Sequence, residues 1–568
     1  MKMTLQNTWN RIKKTVRQKC LHNVLNFIFI IAFINVFQAV FGPENSILAV
    51  SLTILMPAST VRDMTATPVK HLCVQTVILE LMVVSAFLVQ SLQPWAALPL
   101  NLATLLIILY AYTYEYSSSM YFPYILSYLF FLFISPVTAE QLPRRMLGAL
   151  AGAVCTILYQ FYSNRTRVTE TAHDRLTAML EQARRAVDFR LTGTGGDPDL
   201  ALVRESVCVV SRAVYERRRK ALRISDAGFA LVDAARPLEH LILLVRALPG
   251  DPSPAQAAFL SRLGPWLDDC RDFVLRLRPD LPAPDWGADA PPELREAADY
   301  LRARLGHMAD RERRRNYRPT GLSLWIRVKA AMDVSSVRVT YAIRTAVLLA
   351  VGTLLVQLLG VTHGKWILFT VASLSLPYAD DIGTKTWKRV LGTLAGGAVS
   401  VVVYSLFPAA EVRTFFMMFS GFLTGFFSDY AQTYACSTVG ALGGAVFLTT
   451  FGWGAVSAMF GLRVLYILLG ALIVFLFCRL LAPFTRHTAS EQLTAKYVRL
   501  SDLLARVCAQ DAVDAQLYYS LVIQAQLTEQ KLRENAGKDG QMEALIPVLA
   551  ECHRRVRDAH LAAVPAQA

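Results

Sequence analysis

The sequence is poor in charge. Only 18% of its 568 residues are Asp, Glu, Lys or Arg, where globular domains carry nearer a quarter. Its nine cysteines lie scattered, at 20, 73, 155, 208, 270, 436, 478, 508 and 552, with no C-x-x-C pair and no histidine at ligand spacing. That pattern argues against a zinc site or a disulfide framework, and the cysteines read as small apolar residues. No phosphate loop is present either. GTKT (383–386) comes close, but Thr384 separates Gly383 from Lys385, and a Walker loop needs Gly-Lys-Ser/Thr in succession. The polar stretches hold no catalytic constellation, so neither an enzyme nor a bound cofactor or metal is expected.

Apolar residues are abundant instead: 54% of the chain, with a mean hydropathy of +0.37. Residues 22–163 and 337–482 are almost continuously apolar, while 164–335 and 486–568 are rich in Arg, Glu and Asp. This alternation fits an all-α polytopic membrane protein with two membrane blocks and two soluble blocks. The expected domains are 1–165, a helical insert over 166–335, 336–484, and C-terminal helices over 485–568. The net charge is +15, from 58 basic and 43 acidic residues. Lys2, Arg11, Lys13, Lys14, Arg17 and Lys19 precede the first apolar run with no acid among them, and DRERRRNYR (310–318) precedes the second block. Basic runs touching apolar spans follow the cytoplasmic bias of membrane proteins. A nucleic-acid face would interleave them with aromatics on a soluble domain, so the partner expected is a lipid bilayer, not nucleic acid. The N-terminus has the basic-then-apolar order of a signal peptide, but further spans follow at once and an uncleaved helix is expected.

Six apolar spans are read in each block: roughly 24–41, 46–57, 69–91, 95–113, 121–138 and 145–163, then 338–360, 366–377, 389–407, 412–429, 433–452 and 460–481. The blocks align as a repeat. ILAVSLTILMP (47–57) lies over ILFTVASLSLP (367–377) at a shift of 320, and RMLGALAGA (145–153) shares its Arg, Gly and final Ala with RVLYILLGA (463–471). About twelve transmembrane helices in two parallel six-helix repeats put both termini and both soluble blocks in the cytoplasm, with a substrate path between the halves. The second span of each block has about a dozen residues and is read as stopping at Pro57 or Pro377. Such paired short segments mark a transport site or, alternatively, short packing helices, and a re-entrant path would change the sidedness of some loops.

The soluble blocks read as helical bundles. TGTGGDPD, ALPGDPSP and RPDLPAPDWGADAPP separate about five helices before residue 318, and 488–562 gives two or three more. TGTGG is a linker, since no strand precedes it and no Lys-Ser/Thr follows.

Charges inside apolar spans are costly and are functional candidates. Glu80 stands mid-span in VILELMVV and is a proton-binding candidate or a structural partner; the 320 shift places it over Ser400. Asp429, and Glu115 after the fourth span, lie at span ends. Arg344 lies two turns into the seventh span, Arg338 can snorkel, and Arg145 and Arg463 open the last span of each block. Lys365 and Trp366 begin the short eighth segment, where Trp is often an interfacial anchor. YAYTYEYSSSMYFPY (110–124) is either an aromatic belt or a vestibule of rings.

From Arg344 to Gly397 the sequence resembles a known family. An Arg in the first helix is followed by KWILFTVASLSLP and then by Thr386, Arg389, Gly392, Thr393 and Gly396 in the pattern T-x-x-R-x-x-G-T-x-x-G. This is similar to the fusaric acid resistance family, which includes bacterial aromatic acid exporters, and to plant aluminium-activated malate transporters. The first block has TPVKHLCVQTV (67–77) at the matching place, and Val24 where the second has Arg344. The resemblance implies proton-driven efflux of aromatic carboxylates or other small organic anions across a bacterial inner membrane. Arg344, Arg389, Arg463 and Arg145 are the cations available to such an anion, with Trp366 and Thr393 beside them; Glu80 and Asp429 are the proton-coupling candidates. A passive anion channel and a membrane-anchored scaffold are the rival readings. A major-facilitator transporter fits less well, since its G-x-x-x-D-R loop is missing. A homodimer and a periplasmic adaptor stay open as partners.

Overall fold

The computed structural model describes residues 2–62, 64–65, 67–116, 119–164, 167–194, 196–216, 226–275, 277, 280–309, 336–407, 409–446, 453–481, 483–508 and 515–563. Among them every regular element is helical. The basic run 310–318 lies outside the described residues. The first apolar block forms α1 (Lys2–Phe41), α2 (Ser46–Ser59), α3 (Pro68–Ser91), α4 (Pro94–Tyr112), α5 (Tyr121–Phe133) and α6 (Leu142–Asn164). The insert forms α7 (Arg167–Thr192), α8 (Leu200–Glu216), α9 (Asp226–Ala247), α10 (Pro254–Val274) and α11 (Pro292–Ala309). The second apolar block forms α12 (Ser336–Leu358), α13 (Lys365–Leu374), α14 (Ile382–Leu406), α15 (Ala410–Thr424), α16 (Tyr430–Val446) and α17 (Trp453–Phe475). The C-terminal region adds α18 (Arg486–Cys508), α19 (Ala515–Asp539) and α20 (Met542–Ala563).

Each of the twelve expected spans overlaps a helix among the described residues, and the chain is a polytopic membrane protein. Seven of these helices are long and apolar enough to cross a bilayer: α1, α3, α4, α6, α12, α14 and α17. The described lengths of α2, α5, α13, α15 and α16 run from 10 to 17 residues, short of the roughly 20 a span needs. Neither short segment stops at its proline. α2 runs through Pro57 to Ser59, the proline ring costing one ladder hydrogen bond in its last turn. α13 ends at Leu374, before Leu376, the residue that Pro377 biases away from helical geometry.

The chain divides into two compact units. The first holds residues 1–61, 72–156 and 335–489. Within it α12 lies along α4, α13 packs on both α5 and α17, and α14 packs on α16. Several positions 318 residues apart play parallel parts. Gly42 and Gly360 both take positive φ, at 90° and 58°. Gly152 meets Leu52 just as Gly470 meets Thr370. Arg145 and Arg463 share this offset, which is two residues from the 320 read off the short spans.

The second unit holds residues 62–71, 157–334 and 490–568. The five helices α7–α11 close over a core that includes Leu180, Leu241, Phe259, Trp266 and Trp286. In TGTGG, Gly193 and Gly196 follow α7 at positive φ with open space around both. The C-terminal helices build a second core from Leu493, Tyr497, Leu521, Leu532 and Leu549, and α19 packs on α8. Glu529 joins the C-terminal helices. Its carboxylate accepts from Tyr497 at 3.1 Å and from Arg533 at 2.8 Å, and meets His553 Nε2 at 2.9 Å. Burial alone would raise this carboxyl, but His553 and Arg533 outweigh it and hold it near 2.

Candidate anion-binding site

The site is built by four helices of the second apolar block, and glycines bring two of them together. A Cβ on Gly392 would lie 2.5 Å from the Ala431 carbonyl oxygen, and one on Gly396 would collide with the Ala435 carbonyl. Backbone of α14 therefore rests directly on α16, the close approach that small residues permit. Gly397 faces elsewhere, against the Phe460 ring of α17. Asp429 fixes the start of α16: it accepts from the Ala431 amide at 2.9 Å, as an N-cap carboxylate does, and pairs with Lys388 at 2.6 Å. Tyr430 and Tyr434, one turn apart on α16, thus stand beside Arg389 of α14.

Arg389 is buried, at 3% exposure. Its Nη1 donates to the Ser373 hydroxyl and, at 3.0 Å, to the Tyr430 hydroxyl, while Nη2 reaches the Thr370 hydroxyl at 3.3 Å. The guanidinium carbon stands 4.0 Å from the Tyr434 ring centroid. Arg463, at 5% exposure, lies 5.1 Å from the Trp366 centroid and shares the Tyr434 hydroxyl. The two guanidinia are close enough to repel one another. Among the described residues neither has a carboxylate within ion-pair distance. The Nε atoms of both are buried without a hydrogen-bond acceptor. Two buried cations held only by hydroxyls and ring faces leave a local excess of positive charge, which an anion would offset.

The structure thus brings Arg389, Arg463 and Trp366 into one cluster, and the cluster lies inside the second block, not between the halves. Thr393 adjoins it but spends its hydroxyl on the Arg389 carbonyl, at 2.9 Å. Arg344 stands on the Leu376 and Pro377 carbonyls in the segment that follows α13. Arg145 belongs to a separate cluster in the first block. At 1% exposure it donates to Asn45 Oδ1 at 2.9 Å, the Glu44 carbonyl at 2.6 Å, the Ser135 carbonyl at 2.5 Å and the Ser135 hydroxyl at 2.7 Å. It staples the segment before α2 to the end of α5. Glu80, on α3, buries Oε2 without a hydrogen-bond partner.

Within the tyrosine run, Tyr112, Tyr116 and Tyr124 are buried while Tyr110 is exposed. Tyr112 and Tyr124 stack at 3.6 Å with both hydroxyls on Gln75 Oε1, Tyr121 packs on Tyr341, and Arg338 lies 4.0 Å from the Tyr110 ring. The sequence reading missed Tyr430, Tyr434, Thr370 and Ser373. The i, i+4 spacing of tyrosines in DYAQTYA was the available signal.

Residues 349–477 match the family model described as "Fusaric acid resistance protein-like". A curated relative, "Inner membrane protein YccS" of Escherichia coli (strain K12), is 29% identical over 136 residues. That stretch covers 24% of this chain and 19% of the relative, so the match spans about a fifth of the relative's length. No solved structure matches. The matched segment contains Arg389, Thr393 and Arg463 together with most of the helices that hold them, so the similarity to the fusaric acid resistance protein-like family lies over the site.

Proposed function

We propose that this protein is an inner-membrane secondary transporter that exports aromatic carboxylates or other small organic anions, driven by the proton gradient. The carrying observation is the pair of buried arginines, Arg389 and Arg463, with no carboxylate to neutralise them among the described residues. A carboxylate ligand would accept from either guanidinium in a region poor in water, where such bonds are strong. Tyr430, Tyr434 and Trp366 belong to the same cluster and would give an aromatic ligand faces to stack on. The family match and the relative's description as an inner membrane protein support the membrane and the transport class. Glu80 is the proton carrier in this reading, because it is an acid within the span α3 whose Oε2 is buried without a hydrogen-bond partner. The basic N-terminus and both polar blocks face the cytoplasm.

The experiment is uptake of hydroxybenzoate into inverted vesicles holding the full chain under an imposed pH gradient. Uphill, saturable accumulation supports the exporter, whereas purely downhill current makes the protein a channel. No flux of any organic anion leaves a membrane-anchored scaffold. Glu80→Gln is expected to abolish uphill accumulation and spare substrate exchange; unchanged accumulation would remove Glu80 from the coupling.

A further inference from the structure

Three cations and three rings alternate through the second apolar block. Lys385, in the first turn of α14, stands 5.2 Å from the centroid of Tyr430. The Tyr430 hydroxyl accepts from Arg389 at 3.0 Å, and Arg389 lies 4.0 Å over Tyr434. Tyr434 meets Arg463, and Arg463 lies 5.1 Å from Trp366. Trp366 opens α13, and Ser373, which Arg389 holds, lies near its end. At about 1.5 Å per residue those two positions are roughly 10 Å apart along α13. Arg389 also reaches Thr370, one turn from Trp366, so the two arginines are offset by one to two turns of α13, with Arg463 nearer its start and Arg389 nearer its end.

We propose that these six residues form a stepwise anion track, with Lys385 as its mouth and Arg389 and Arg463 as successive stations. The proposal rests on the transport reading above and adds an order of events and a role for Lys385. A path through a membrane must bind an ion well enough to admit it and weakly enough, at several sites, to release it. Ring faces suit that requirement. They hold a buried cation through the ring quadrupole without supplying the negative charge that would compete with the passing anion. The tyrosine i, i+4 pair sets the interval between stations, because each ring touches the cation on either side of it. Lys385 is half-buried, whereas Arg389 and Arg463 are buried, so an anion loses its water progressively.

The track predicts a split between rate and affinity. With the purified full chain and hydroxybenzoate as probe, Lys385→Gln is expected to leave equilibrium binding within about two-fold of wild type. Its initial transport rate in vesicles should fall about ten-fold or more, and Lys385→Arg should restore it. Tyr430→Leu, which removes the ring under Lys385, should show the same loss of rate and serves if the lysine variants fold poorly. A wild-type rate in both Lys385→Gln and Tyr430→Leu overturns the track. If Arg389→Gln and Arg463→Gln still abolish binding in that case, the transport reading stands without it. Absence of any hydroxybenzoate binding or flux by the wild type overturns both.

Discussion

Arg389 lies face-on to Tyr434, its guanidinium carbon 4.0 Å from the ring centroid, and both residues sit beneath a helix contact made of glycine against backbone carbonyl. The ring offsets part of the cost of burying that cation, an interaction worth about 2 kcal/mol when water is excluded. Tyr434→Leu removes it along with the hydroxyl that Arg463 shares. Hydroxybenzoate affinity should drop roughly ten- to thirty-fold, and Tyr434→Phe, which keeps the ring, should lose less. Titration calorimetry on the two purified variants checks the order.

The α14–α16 contact leaves no room for a methyl group. A side chain at Gly396 would meet the Ala435 carbonyl, which is backbone and cannot rotate away. Gly396→Ala should therefore push the helices apart, destabilise the protein by about 1–3 kcal/mol, and weaken anion binding by displacing Tyr434. Gly421→Ala, where a Cβ meets nothing within 4 Å, is the control. Thermal midpoints and binding of both variants in detergent decide it.

Arg145, in the first turn of α6, and Arg463, ten residues into α17 rather than at its start, hold corresponding places in the two blocks, but their surroundings predict opposite phenotypes. Every donor group of the Arg145 guanidinium is engaged with Asn45, Glu44 or Ser135. Arg145→Ala would orphan buried carbonyls at about 1–3 kcal/mol each and should lower the midpoint of unfolding sharply. Arg463→Ala relieves the repulsion with Arg389 and should change stability less while abolishing anion binding. A binding-competent, stable Arg145→Ala variant would contradict the staple.

Acid should loosen the C-terminal helices through Glu529. Its carboxyl ionises near 2, against 4.5 for a model carboxyl, so its contribution to stability is complete above about 4.5 and disappears as pH falls toward 2. The shift corresponds to roughly 3 kcal/mol. Amide-exchange protection of α19 in the full chain should fall through that window. Glu529→Gln should be less protected at neutral pH and should lack that slope.

The sequence by itself determined the membrane class, the helical elements and their positions, because hydropathy blocks and helical spacing are local properties. It also singled out Arg389, Arg463 and Trp366 as anion-site candidates, since charges at the edges of apolar runs stand out one by one, but in sequence Arg389 reads as a membrane-boundary residue and Trp366 as an interfacial anchor. The family pattern at Thr386–Gly396 was legible for the same reason. The grouping of those residues was not. Arg145, Arg344, Arg389 and Arg463 look alike in sequence, each an arginine in or at the edge of an apolar run. Only packing separates the staple (Arg145) and the carbonyl-bound arginine (Arg344) from the two that face each other without a counter-charge. Tyr430 and Tyr434 escaped notice because their importance lies in α14 resting on α16, a contact between segments whose separation along the chain carries no periodic signal. Local chemistry fixed what each helix is; the close approach of backbones at Gly392 and Gly396 decided which side chains meet.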